Sequence, residues 1–179
     1  MAVDRRRRQF LSGGVAGVLS LAGCLGAGRS GEVEDSGPSP LTLESVEVAG
    51  SPGGPVTLRP AGRVAVLSFF ATWCAPCKPE MANLRAARDR FDRDAVSIVS
   101  ITAEEDRDAV EHFWRRYRGT WPVVLDTDLE ATRRYDVAGV PTTLVFAADG
   151  ERVLRHAGLA SEEAIVEAIA EALERGGGA

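Results

Sequence analysis

The sequence predicts an α/β domain, with a central mixed β-sheet, helices on both faces and a β-hairpin on its N-terminal side. Three observations carry that expectation. Residues 64–70, VAVLSFF, form an apolar run too continuous for a half-exposed strand, and they suit a strand covered on both faces. Between residues 64 and 135, short strand-like runs alternate with segments whose apolar residues recur at helical spacing, in the order β-α-β-α-β-α. Residues 144–146 and 152–154 flank the turn signal Asp149-Gly150 and close the pattern with an antiparallel pair.

Taken in order, Leu43, Val46 and Val48 alternate with polar residues over 41–48. Gly50-Ser51-Pro52-Gly53-Gly54-Pro55 is a dense turn signal ahead of Val56-Thr57-Leu58, so a short hairpin is expected there. The strand at 64–70 leads to a helix over about 75–91, because Pro76 suits a first helical turn and Met81, Leu84, Ala87, Arg88 and Phe91 recur at helical spacing. Residues 95–101 read as the second strand, 106–118 as a helix with Val110, Phe113, Trp114 and Tyr117 on one face, and 122–125 as the third strand. Asp126-Thr127-Asp128 offers capping groups for a short helix that ends near Tyr135. A last helix is expected from Ser161 to about Glu174, with Glu162 and Glu163 suited to the positive end of its dipole.

The chain has 179 residues, 45% hydrophobic and 26% charged, which is room for one ordinary core plus extensions. Its cations are nearly all arginine, Lys78 being the only lysine, and four of them crowd into Arg5-Arg6-Arg7-Arg8. An apolar run at 13–21 and the small residues before Cys24 follow, so residues 1–23 read as an export signal. Arg7-Arg8-Gln9-Phe10-Leu11 resembles a twin-arginine signal, although Arg6 and Ser12 depart from its usual flanks. Leu21-Ala22-Gly23-Cys24 resembles a lipobox, which makes Cys24 the expected lipid-attachment residue and leaves one cysteine pair in the mature protein. An uncleaved anchor is the competing reading, but the run is short of the roughly 20 residues that span a bilayer.

Removing residues 1–23 takes away four arginines and Asp4, which moves the net charge from −5 to −8. So acidic a body argues against nucleic acid as a partner. Residues 24–40 are rich in Gly, Ser, Pro and acid and read as a flexible tether, residues 41–175 as the domain, and residues 176–179 as a disordered tail.

The chemistry centres on Cys74-Ala75-Pro76-Cys77, where the buried strand hands over to a helix. A thiolate attacks disulfides, and free N–H groups at a helix N-terminus lower a cysteine's pKa from about 8.5. Cys74 is placed there as the nucleophile, and Cys77, one turn further on, as the resolving thiol. A structural zinc site needs a second pair of ligands, whereas His112 and His156 are isolated. Haem attachment needs a histidine where this chain has Lys78, and a purely structural bridge across so small a ring is a poor staple.

Trp73-Cys74-Ala75-Pro76-Cys77-Lys78-Pro79-Glu80, together with Val137-Ala138-Gly139-Val140-Pro141-Thr142-Thr143 and Asp149-Gly150, resembles the thioredoxin superfamily. Within it the chain is similar to the TlpA/ResA-like membrane-anchored branch, over residues 41–173 or so. The resemblance implies a thioredoxin-like fold in which Pro141 is a cis-proline beside the cysteine pair. Val140 then offers its backbone to an extended substrate. It also implies that Trp73 shields one side of the disulfide and that Ala75 and Pro76 face substrate with it. Ser68 stands where cytosolic thioredoxins typically carry a buried aspartate. Glu80 matches a glutamate that assists proton transfer or tunes the thiols in this branch, while a carboxylate in a first helical turn also has a routine dipole role.

The expected protein is an exported thiol-disulfide oxidoreductase, anchored at the outer face of the cell membrane through Cys24 and acting as a reductase. The Cys74–Cys77 couple serves as its redox group, with no dissociable cofactor and no metal. Its expected partners are protein thiols and disulfides, with apocytochrome c and a membrane electron donor implied by the resemblance, and a monomer is expected. A copper metallochaperone using both thiolates for Cu(I) is the alternative, with His156 as its candidate third ligand. A peroxidase is disfavoured because Ala71 stands where a threonine is expected.

Overall fold

The computed structural model describes residues 40–176. The expected export signal, Cys24, the tether before Pro40 and the last three residues of the expected tail lie outside the described residues. Seven strands and four helices follow in the described chain: β1 (Thr42–Val48), β2 (Ser51–Thr57), β3 (Val64–Phe69), α1 (Cys77–Arg90), β4 (Val96–Thr102), α2 (Arg107–Arg116), β5 (Val123–Leu125), α3 (Glu130–Arg134), β6 (Thr142–Phe146), β7 (Arg152–Ala157) and α4 (Glu162–Gly176).

One mixed sheet runs in the order β2-β1-β5-β4-β3-β6-β7. β3, β4 and β5 are parallel, joined by helical crossovers, and antiparallel strands extend them on both sides. Every residue of β3 is buried. Its alternation shows why: Val64 and Val66 enter the cluster formed with Met81 and Leu84 of α1, Phe113 and Trp114 of α2, and Ile165 and Ile169 of α4. Ala65, Leu67 and Phe69 enter the opposite cluster, with Ala131 of α3, Tyr135 and Leu144. Helices therefore cover both faces, and a side chain such as Leu67, fully buried, contributes roughly 1.5–3 kcal/mol.

The N-terminal hairpin forms, but its turn is shorter than expected. Val48 pairs with Ser51, so Ala49-Gly50 alone makes the turn, with Gly50 at φ +77°. Ser51 to Pro55 belong to a strand and not to a long loop. Two prolines are accommodated because β2 is the outermost strand and is paired on one side only. β7 also outruns expectation, reaching Ala157 past a register shift at Val145/Phe146, which places His156 opposite Thr143. α4 extends to Gly176 and so takes in the first residue of the expected tail. α3 is short, and its start is held by buried Asp126, whose carboxylate accepts from Ala131 N (2.9 Å), Thr132 N (2.8 Å) and Thr132 Oγ1 (2.7 Å).

Candidate active site

The site forms where β3 ends. Phe70 N donates to Ile101 O (3.0 Å) and the Phe70 ring stacks on Phe113 at 5.1 Å, so the chain leaves the sheet from a rigid base. A turn closed by Cys74 N donating to Ala71 O (3.1 Å) carries it to Cys74. Helix α1 begins at Cys77, two residues later than the spacing suggests, with Pro76 as its N-cap residue. Cys74 and Cys77 are joined in a disulfide, S–S 2.02 Å, and both are buried. Cys77 N, in the first turn of α1, donates to Cys74 Sγ at 3.2 Å. In the reduced state that N–H and the helix's positive end favour a thiolate on Cys74.

Glu80 lies one turn beyond Cys77 and is only 1% exposed, which a carboxylate serving the dipole from the surface would not be. Its Oε1 accepts from Thr143 Oγ1 at 2.9 Å and from Ala160 N at 3.3 Å. Burial pushes the carboxyl from 4.5 up to about 7, against these two bonds, which favour the ionised form. Asn83 Nδ2 adds a bond to Ala160 O (2.8 Å), so α1 grips the loop before α4 at both the N–H and the carbonyl. Ser68 is buried and pairs with Ser100 on one side and Thr143 on the other. A small polar row thus crosses the sheet beneath α1.

The Val140–Pro141 peptide bond is cis. Pro141 O accepts from Gly158 N (2.8 Å) and Thr142 Oγ1 donates to Gly139 O (2.7 Å), which fixes the segment leading into β6. Trp73, the residue expected to shield the disulfide, is 74% exposed. With Val140 it lines an apolar cavity of about 350 Å³, whose walls include Phe69, Ile101, Leu129 and Val137. Ala75 and Pro76 are exposed above the disulfide.

Glu104 is a residue that the sequence reading missed. Its Oε2 accepts from Thr72 N and its Oε1 from Thr72 Oγ1, both at 2.7 Å, while Thr102 Oγ1 donates to Oε2 at 3.2 Å. The segment just after β4 therefore holds the residue before Trp73-Cys74 by backbone and side chain together. Of the histidines, His112 is exposed and His156 Nε2 lies 3.2 Å from Leu159 O. Among the described residues no group of three His, Cys, Asp or Glu side chains is placed to hold a metal ion.

A helix-start dithiol pair, a cis-proline segment leading into β6 and a carboxyl buried one turn behind the second cysteine define a thiol-disulfide oxidoreductase of thioredoxin fold. The chain belongs to the Redoxin family, whose pattern it matches over residues 38–173. It is 31% identical over 170 residues to the thiol-disulfide oxidoreductase ResA of Bacillus subtilis (strain 168), covering 91% of this chain and 92% of that one. The sporulation thiol-disulfide oxidoreductase A of the same organism is 26% identical over 129 residues, 70% of this chain and 75% of the relative. Among solved structures, StoA from Bacillus subtilis superposes with a TM-score of 0.62 at 25% identity, covering 73% of this chain and 96% of that one. A secreted Mycobacterium tuberculosis disulfide oxidoreductase homologous to E. coli DsbE gives 0.62 at 25% identity, covering 74% and 96%. The activity is thiol-disulfide exchange with proteins.

Proposed function

We propose that this enzyme is an exported reductase tethered to the outer face of the cell membrane. The observation that carries the chemistry is the bond from Cys77 N to Cys74 Sγ, with Glu80 buried one turn behind. Cys74 thiolate attacks one sulfur of a substrate disulfide, and the substrate's other sulfur leaves as a thiolate that takes up a proton. Glu80, titrating near 7, takes the proton from the Cys77 thiol. Cys77 thiolate then attacks the Cys74 sulfur of the mixed disulfide, releasing the second substrate thiol and closing the Cys74–Cys77 bond. Two electrons have passed to the substrate, and a membrane electron donor returns them with two protons.

No dissociable cofactor enters this cycle. Trp73, Ala75, Pro76 and Val140 offer the substrate-facing surface, and Pro141 positions it. Arg7-Arg8 and Cys24 support export and lipid anchoring, and the TlpA/ResA-like resemblance supports apocytochrome c as one substrate of a monomeric enzyme. The reduction potential of the Cys74/Cys77 couple tests the direction. A value near −270 mV, roughly that of thioredoxin, is expected, and one near about −120 mV contradicts it.

A further inference from the structure

Two grooves next to the disulfide segment have charged lining residues of one sign. They adjoin, measure about 360 and 140 Å³, and share Lys78, Arg116 and Tyr117 as walls. The larger reaches Thr72, just before Trp73-Cys74, and the smaller adds Arg85 and Arg118. No carboxylate lines either groove; the Glu104 carboxylate stands behind the larger one, engaged by Thr72 N and Oγ1, and the chain as a whole is acidic at −5. Lys78, the only lysine, follows Cys77 directly. Arg85 is committed to Tyr117 O at 2.9 Å, whereas Lys78, Arg116 and Arg118 enter no ion pair among the described residues.

The backbone at Arg118 points the same way. Arg118 adopts φ +57°, the left-handed conformation that glycine occupies at no steric cost. It follows the end of α2, and its neighbour Gly119 has no room for a side chain, since a Cβ there would meet the Trp114 ring at 2.0 Å. An arginine in that conformation is an unfavourable local choice, and a charge at the groove's edge gives it a use.

The geometry points to a docking surface for an acidic segment of a protein substrate, lying along Lys78, Arg116 and Arg118 while its disulfide meets Cys74. This rests on the thiol-disulfide reading and names a class of substrate for it. The Debye length is about 10 Å at 0.1 M salt, so such a segment is felt by the nearby cations more than by the distant net charge. Charge complementarity of this kind acts mainly on the rate of encounter.

The test uses the reduced full chain and three synthetic peptides, each with one intramolecular disulfide, flanked by Asp/Glu, by Lys/Arg or by Ser/Asn. At low salt the acidic peptide is expected to be reduced about tenfold faster than the basic one, a gap that closes in roughly 1 M salt. The double variant Arg116→Glu/Arg118→Glu is expected to invert the ratio of the two rates. The uncharged peptide reports folding, since a double variant that keeps its fold reduces it at the parent's rate, whereas a misfolded one loses all three rates together. Equal rates of the parent on acidic and basic peptides, or an unchanged ratio in a double variant that keeps the parent's rate on the uncharged peptide, would overturn the docking surface alone. Failure to reduce any of the three, the uncharged one included, would overturn the exchange reading beneath it.

Discussion

Thr143 Oγ1 donates a 2.9 Å hydrogen bond to Glu80 Oε1, and through it the strand that starts just after Pro141 is tied to the helix that starts at Cys77. The two residues are 63 positions apart in sequence, and both side chains are buried. A carboxyl in that setting has few ways to gain or lose a proton except with its immediate neighbours. That isolation is what makes Glu80 useful to a buried thiol and costly to the fold when ionised.

The cost has a sign and a window. Glu80's folded value, about 7, lies above its ordinary 4.5, so its contribution to stability is fully present below about 4.5 and is lost as pH rises through about 7. At about 1.4 kcal/mol per unit, the loss amounts to roughly 3 kcal/mol. Glu80→Gln, which carries no charge at any pH, is expected to gain on the parent by about 2–3 kcal/mol between pH 5 and pH 8 in urea unfolding. The same variant is expected to slow release of substrate from the mixed disulfide by about 100-fold at pH 7. A stability difference that does not vary with pH would show that the carboxyl titrates normally.

Glu104 is expected to act on the thiols through Thr72. Glu104→Ala removes both 2.7 Å acceptors, frees the Thr72–Trp73 segment and costs about 1–3 kcal/mol of stability. Glu104→Gln keeps one acceptor oxygen and is expected to recover part of that loss. The Cys74 alkylation rate against pH is the discriminating measurement. Loosening this segment should displace the profile in the alanine variant and less so in the glutamine variant, whereas an unmoved profile in both would confine Glu104 to stability.

Asp126 marks a part of the fold that the redox chemistry does not use. Asp126→Ala strips three hydrogen bonds from the start of α3 and leaves the Ala131 N–H buried without its acceptor. A loss of about 3 kcal/mol is expected in urea unfolding, with the reduction potential unchanged. A shifted potential would mean that α3 helps to set the environment of the disulfide.

The order of strands and helices was legible because the apolar period changes from two to nearly four along the chain, and residues 64–70 could be read directly as a strand buried on both faces. The dithiol site was legible for a similar reason, since Cys74 and Cys77 sit together at one strand-to-helix junction. Contacts between distant residues were not. Thr72 and Glu104 are 32 positions apart, and nothing in the spacing of either pointed to the other. Whether Glu80 faces water or the core depends on where β6 and the loop before α4 arrive, which its own helix does not determine. The β2 strand was hidden for the opposite reason: Pro52, Gly53, Gly54 and Pro55 are honest turn signals, and only the outermost place in the sheet lets them form a strand. Trp73 was legible only as a neighbour of the disulfide, because how far the turn after Ala71 carries its ring into solvent is not written in the strand before it.

The division of labour between the cysteines can be tested by stopping the cycle halfway. Reduced Cys77→Ala, mixed with a synthetic peptide containing one intramolecular disulfide, is expected to accumulate a covalent adduct through Cys74. The adduct should be visible by intact-mass spectrometry and be released by dithiothreitol, while Cys74→Ala forms none. An adduct of equal yield in both variants, or none in Cys77→Ala, would contradict exchange through a Cys74 nucleophile resolved by Cys77.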